Sequence, residues 1–234
     1  MTAYTVLRFT KLKSWGAVGG AGSHNARLRS TPNADPEAIA KNRFLIGSPS
    51  DDLTVLCQAR LGGQKIRQNA VYAVEGVMSA SPGYFRPDNP ERYGHYETAR
   101  LEPWLDASMS WLQKKYGDRL ISAVLHLDEA TPHLQFLILP LDENGKLNCR
   151  KLFGGSRQVM ADLQTDYAQA VAHLGLSRGR AGSKAQHQNV AQYYAATQNL
   201  NHTPPPAVPT FADIEVPEPP GTMARLKDRN LTDY

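Results

Sequence analysis

HLDEATPHLQF, His126 to Phe136, sets two histidines, two carboxylates, a proline and a glutamine among apolar residues within eleven positions. Successive side chains of a strand point to opposite faces. Arg119 to Asp128 and His133 to Leu141 read as two strands, with Glu129 to Pro132 as the turn between them. Val124, His126 and Asp128 then share one face, and His133, Gln135 and Leu137 share a face on the return strand. A four-residue turn pairs Asp128 with His133 and His126 with Gln135. Opposed positions lie ~4.5–5.5 Å apart, so one ion can touch three of these side chains. Imidazole suits a transition metal, and the amide oxygen of Gln135 is a hard, neutral acceptor. His126, His133 and Gln135 are therefore the expected ligands. Asp128 is expected to accept the N–H of His133 and fix its tautomer. The alternative is a polar hairpin whose histidines have no common purpose.

Outward from the hairpin, the long stretch Pro90 to Tyr116 carries Leu101, Trp104, Leu105, Met109 and Leu112 at three- and four-residue steps, the stripe of an amphipathic helix. Ser156 to Leu174 repeats the pattern through Val159, Met160, Leu163, Tyr167, Ala170 and Val171, and Gly175 closes it. Ala3 to Phe9 and Asn69 to Ala80 read as strands. Asp51 or Asp52 can cap a helix that begins at Leu53 and ends at Gly62-Gly63. Four glycines between Gly16 and Gly22 predict a loop, either flexible or closely approached by a ligand. Ser23 can cap a short helix opening at His24. A last helix is expected over Ser183 to Thr197. Seven prolines between Thr203 and Gly221 exclude helix interior and central strand, so residues 201–234 are expected to be an extended tail after one domain of residues 1–200, as at a cut from a longer chain.

Composition narrows the class. Of 234 residues, 41% are hydrophobic and 21% charged, as in a globular protein. No apolar run reaches the ~18 residues that span a bilayer, and the N-terminus lacks a signal peptide's apolar core. A cytoplasmic protein is expected. Cys57 and Cys149 form no C-x-x-C pair and read as reduced thiols. From Met1 to Ala34 the charged residues are Arg8, Lys11, Lys13, Arg27 and Arg29, with no acid before Asp35. Such a one-sign segment suits an anionic partner, most often nucleic acid, though a solvated basic face with no partner has the same composition.

At these residues the chain resembles the Mob/Pre plasmid mobilization relaxases, the MobV group of the HUH endonucleases. HLDEATPHLQ matches their His-x-Asp-Glu-x-x-Pro-His-x-His hallmark except at its last position, Gln135. His24-Asn25-Ala26-Arg27 matches a second motif, His-Asn-x-Arg. Lys41-Asn42-Arg43-Phe44-Leu45 resembles a third, and Ser183-Lys184-Ala185-Gln186-His187 a fourth, in the family's order over about Met1 to Tyr194.

The resemblance implies an α+β fold, a central antiparallel sheet (an RRM-like palm) flanked by helices. It implies binding of single-stranded or hairpin DNA at an origin of transfer, with Mn or Mg as the divalent metal. Accessory mobilization or coupling proteins are implied as further partners. It also implies a nick that leaves the protein on the 5′ phosphate, through the histidine of His-Asn-x-Arg, here His24. Neutral imidazole attacking phosphorus forms a phosphoramidate. Glu129 is placed to orient His24 or take its proton, and Arg27 to clamp the phosphate. Lys11, Lys13, Asn25, Arg29, Asn42 and Arg43 flank the motif segments as DNA contacts, and Phe44 and Tyr116 are candidates for base stacking. Two other readings stay open. One is a rolling-circle replication initiator with a tyrosine nucleophile, for which Tyr193-Tyr194 is the candidate. The other is a DNA-binding protein with a degenerate metal site.

Overall fold

The computed structural model describes residues 2–154 and 157–179. In chain order these form β1 (Ala3–Leu12), α1 (Trp15–Asn25), β2 (Arg43–Ile46), α2 (Leu53–Leu61), β3 (Ala73–Ala80), α3 (Pro82–Phe85), α4 (Thr98–Tyr116), β4 (Leu120–His126), β5 (His133–Ile138), α5 (Cys149–Phe153), α6 (Arg157–Ala170) and β6 (Leu176–Ser177). The strands make one sheet in the order β2-β4-β5-β3-β1-β6. The strands from β2 to β1 in that order pair antiparallel, and the two-residue β6 runs parallel to β1 at the far edge. The expected α+β class with an antiparallel central sheet is the architecture found. The expected last helix, the Ser183–His187 motif, Tyr193-Tyr194 and the boundary at residue 200 lie outside the described residues.

Alternation gives the sheet two different faces. Leu7, Val74, Met78, Leu125, Leu134, Phe136 and Ile138 look one way and join Leu101, Trp104, Leu105 and Leu112 of α4 and Leu163 and Tyr167 of α6 in the larger core. Tyr167 is fully buried there, and its hydroxyl accepts from the Trp104 indole at 3.0 Å. Gly76 sits between Phe9 and Phe136 on the neighbouring strands. A Cβ at Gly76 would fall inside the Phe136 ring, so glycine there lets the ring lie across the strand. The opposite face is apolar only at one end, where Leu12, Ala73, Leu137 and Leu139 pack under α1 and α2. Its other end carries the polar side chains of the site.

Three expectations change. The glycine-rich segment is the helix α1, capped by Ser14, whose hydroxyl accepts from the Ala17 N–H at 3.1 Å, and not a loop followed by a helix capped at Ser23. Interior glycine costs ~0.5–1 kcal/mol per residue. Here Gly19 and Gly22 face α2, and an added Cβ would come within 3.3 Å of Thr54 and 3.2 Å of Leu53, so the missing side chains let the two helices approach. The long helix starts at Thr98 rather than Pro90, because Pro87, Pro90 and Gly94 put turns in the segment before it. α5, capped by Asn148, had no forecast. The hairpin register also differs. His126 pairs with His133 and Val124 with Gln135, so the connection runs from residue 127 to 132. A shift of two positions preserves which residues share a face, where a shift of one would reverse it. α2 is as expected, with the Asp52 carboxylate accepting from the Thr54 and Val55 N–H groups.

Candidate metal and nucleophile site

His126 ends β4 and His133 begins β5, so their pairing brings the two rings face to face, 5.1 Å apart and 22° from parallel. Glu129, in the connection, reaches back until its Oε1 is 3.8 Å from His133 Nε2. Ligand atoms of His126, Glu129 and His133 all lie within 4.8 Å of one another. The ring nitrogens are prepared for an ion. His133 Nδ1 lies 3.1 Å from the Thr131 carbonyl, which can only accept, so Nδ1 carries the proton and Nε2 is left with its lone pair. His126 is fully buried, and among the described residues neither of its ring nitrogens has a hydrogen-bond partner. A buried unpaired polar atom costs ~1–3 kcal/mol, which a metal ligand recovers. Burial, with the neighbouring His133 and Arg27, holds His126 below the usual histidine range despite the opposing pull of Asp128, so it is neutral as a ligand must be. These donors fit a divalent transition metal.

Gln135 is buried beside this group, and its side-chain N–H donates to Glu75 at 2.6 Å. An amide tethered by its nitrogen keeps its oxygen as a free-standing acceptor. Glu75 opposes Leu137 in β3 and so lies on the same face. Burial raises its carboxyl above the usual range, opposed by the Gln135 hydrogen bond and the charge of Arg29.

His24 is in the last turn of α1, and its ring centroid is 6.0 Å from that of His126. Burial, and then the neighbouring Arg27 cation, lower it from 6.5 to about 4, so it is neutral at neutral pH. Arg27 Nη1 lies 3.3 Å from His24 Nε2. A guanidinium can only donate, so Nε2 is the unprotonated nitrogen, the one with a lone pair to give.

Arg27 has a different task from the phosphate clamp expected of it. Its Nε and Nη2 donate to the two oxygens of Asp128, each at 2.7 Å, Nη2 also donates to Glu129 at 2.7 Å, and Nη1 donates to the His24 carbonyl at 3.2 Å. With its side chain 4% exposed, the guanidinium is fully engaged within the protein. Asp128 is correspondingly not the partner of His133. Burial pushes its carboxyl up, but the bonds from Arg27 outweigh that and hold it well below the usual carboxylate range. Arg27 is also the one non-glycine among the described residues with positive φ, at 55°. Its N–H bonds the His24 carbonyl and the Leu28 N–H bonds the Ser23 carbonyl, which closes α1 with a Schellman motif. Glycine usually takes that left-handed position, so the arginine there marks a side chain kept for what it holds.

Three further residues had no forecast. The Asn33 amide donates to Glu129 Oε2, so both oxygens of that carboxylate are held. The Ser79 hydroxyl donates to the Pro132 carbonyl at 2.7 Å. Arg86, 5% exposed, donates to the carbonyls of Pro90 (2.7 Å), His95 (3.2 Å) and Ala130 (2.9 Å) and to the Thr131 hydroxyl (3.3 Å). It staples the segment before α4 to the connection that carries Glu129. Arg86→Gln should loosen that connection and lower manganese affinity about tenfold, as loss of supporting bonds around metal ligands does. Titration calorimetry with Mn²⁺ checks this, with circular dichroism to show the sheet intact.

The expected DNA contacts disperse. Arg29 is exposed close enough to the site for its charge to act on both His24 and Glu75. Phe44 opposes Val124 and is on the site face, half-buried. Arg43, next to it in β2, faces the other way and pairs with Glu102 of α4 at 2.6 Å. Asn25 is buried, and its side-chain oxygen has no hydrogen-bond partner among the described residues, whereas the Asn42 side-chain oxygen accepts from the Leu127 N–H at 2.7 Å and so serves the fold beside the site. Tyr116 is 4% exposed and stacks on Phe153 in the larger core, where no base can reach it. Lys11 and Lys13 are exposed at the far end of β1. Cys57 and Cys149 are buried free thiols, and burial raises Cys57 to about 12.

An antiparallel sheet with a His-x-Asp-Glu hairpin at its centre, faced by a histidine-bearing helix end, has the layout of a relaxase-type domain. The family described as plasmid recombination enzyme matches residues 1–195, and the chain belongs to it. A 65 kDa protein of Zymomonas mobilis is 36% identical over 97% of this chain and 37% of its own length. A plasmid recombination enzyme type 3 of Staphylococcus aureus is 24% identical over 84% of this chain and 48% of its own. The chain thus spans 37% and 48% of the length of these two relatives. Among solved structures, the manganese-bound MobM relaxase domain in complex with plasmid pMV158 oriT DNA matches with a TM-score of 0.70 at 26% identity, over 82% of this chain and 99% of that one.

Proposed function

We propose that this chain is the DNA-cutting domain of a plasmid mobilization relaxase acting in the cytoplasm on single-stranded origin DNA. The observation that carries the reading is a neutral, half-buried histidine beside a ligand group built for a divalent ion. As its hydrogen bond from Arg27 Nη1 breaks, His24 Nε2 attacks the scissile phosphorus, the N–P bond forms, and the P–O3′ bond breaks. The departing 3′ oxygen gains a proton by way of water, the phosphorylated imidazole gives up its Nδ1 proton to solvent, and the DNA 5′ phosphate stays on the protein as a phosphoramidate. That bond remains energetic, so a 3′ hydroxyl can reverse the step and rejoin the strand.

A manganese ion held by His126, Glu129 and His133, with the Gln135 amide oxygen as a further ligand, would neutralise phosphate charge and orient it. Glu129 thus moves from an expected proton acceptor to a ligand, and Arg27 becomes the residue that positions both it and His24. Arg29 is the cation best placed to meet the DNA backbone. The MobM domain, bound to both Mn and oriT DNA, supports the metal and the substrate class.

Incubation with single-stranded DNA carrying the origin of its plasmid, with Mn²⁺ or with a chelator, tests the reading. A covalent adduct on a denaturing gel is expected only with the metal. Origin binding without any metal-dependent adduct would instead fit a degenerate site. Gln135→His should tighten manganese binding, since imidazole binds such ions better than an amide. Unchanged or weaker affinity by calorimetry would remove Gln135 from the ligands.

A further inference from the structure

β5 sets His133, Gln135 and Leu137 on the site face in that order, and β3 opposes them with Ser79, Val77 and Glu75. Glu75 is therefore a diagonal neighbour of Gln135, on the side away from His133. Diagonal positions are ~7–8 Å apart, a span that two long side chains can close. They close it here, where Gln135 Nε2 donates to Glu75 Oε1 at 2.6 Å. His126 opposes His133, so both histidines are on the other side of Gln135. An ionised carboxylate can only accept, so it holds the nitrogen arm of the amide and not the oxygen. With the nitrogen drawn toward Glu75, the oxygen is left to the histidine side. The two arms of a primary amide are alike in size, and a half-turn about the last side-chain torsion exchanges them. The flipped amide would set its N–H groups against a cation. Glu75 has no other evident task. It is the one charged residue of β3, it is half-buried, and it makes no ion pair among the described residues. It is also outside the ligand group itself, whose atoms within 4.8 Å of one another belong to His126, Glu129 and His133.

We propose that Glu75 is a positioning residue for the metal site: by holding the Gln135 nitrogen, it keeps the amide oxygen turned to the ion that His126 and His133 bind. The inference rests on the metal site of the relaxase reading and deepens it. It accounts for a glutamine at the place where the resembled motif has its third histidine. A glutamine there needs an outside hold, because it carries a donor and an acceptor side by side. Partners of this kind, one shell behind the ligands, fix ligand orientation and raise ligand basicity. Glu75 and Gln135 then act as a unit, and the contribution of Glu75 to metal binding disappears when Gln135 is gone.

The test is a double-mutant cycle of Glu75→Met and Gln135→Met, read by titration calorimetry with Mn²⁺. Methionine matches the length of both side chains and offers the ion neither an amide nor a carboxylate. Replacing a half-buried carboxylate by an apolar group should leave the metal-free melting temperature unchanged or raise it. Glu75→Met should weaken manganese binding about tenfold, as loss of such a partner does. In the Gln135→Met background the same change should cost less than about twofold. Water-proton relaxation by the bound Mn²⁺ gives a second readout, since it counts the waters on the ion. It should rise in Glu75→Met as it does in Gln135→Met, because a water takes the place of the amide, and rise no further in the double variant. Unchanged manganese affinity in either single variant overturns the proposal. So does an equal loss from Glu75→Met in both backgrounds, which would mean that the carboxylate acts by its charge or its packing and not through Gln135. If the parent protein forms an adduct with Mn²⁺ and Glu75→Met binds the ion as the parent does, the positioning role fails and the relaxase reading stands. If the parent forms no adduct yet the cycle shows the expected coupling, the relaxase reading fails and the positioning role stands.

Discussion

His24→Phe should abolish the covalent DNA adduct, lowering the rate by about 10³-fold or more, as removal of a nucleophile does elsewhere. Phenylalanine keeps a flat ring of similar volume beside His126, so packing at the end of α1 survives. What it removes is the nitrogen lone pair. The ligands His126, Glu129 and His133 come from β4, β5 and their connection rather than from α1, so manganese affinity should stay within about twofold. Adduct yield on a denaturing gel and metal titration on the same sample read the two effects apart. Loss of both together would make His24 part of the metal site instead of the attacking group.

Arg27→Ala should do the widest damage of any single substitution. It strips the bidentate partner from Asp128, whose side chain is 0% exposed, and removes one of the two holds on Glu129. Breaking a buried ion pair from one side costs about 3–5 kcal/mol, because the remaining charge is stranded. In a domain of this size that lowers the melting temperature by about 10 °C. Glu129 and His24 lose their support at once, so metal affinity and adduct formation should fall together. Arg27→Lys should rescue little, since an ammonium cannot span Asp128 bidentately and reach Glu129 and His24 as well. Arg27→Gly isolates the side chain from the backbone. Glycine relieves the left-handed strain at this position, so if it is as damaging as alanine, the bonds and not the turn are what matter. Thermal unfolding of the three variants separates these cases.

The hairpin's chemistry was legible because alternation is a local signal. His126, His133 and Gln135 share a face whether the turn holds four residues or six, so the two-residue register error left the site intact. The error has a physical source: Asp128 and Glu129 are drawn out of the ladder by Arg27, about a hundred positions earlier in the chain. The roles of Arg27, Asn33, Glu75 and Arg86 were opaque for the same reason, since each bonds to a residue more than forty positions away. Glu75 did leave a trace, as the one charged residue of β3. So did Arg86, a cation following two aromatic residues. Glycine in α1 misled because its local preference is for a loop, and only the close approach of α2 reverses it. Tyr116 and Arg43 illustrate the limit of proximity in sequence: one lies in the core and the other on the opposite face of the sheet.

The central claim is that a histidine takes the DNA. Proteolysis of the manganese-dependent adduct, followed by tandem mass spectrometry under neutral conditions, locates the nucleotide on a single side chain. A nucleotide on His24, lost on brief acid treatment as a phosphoramidate is, is the predicted result. An acid-stable nucleotide on a tyrosine, whether Tyr193, Tyr194 or another, would contradict it.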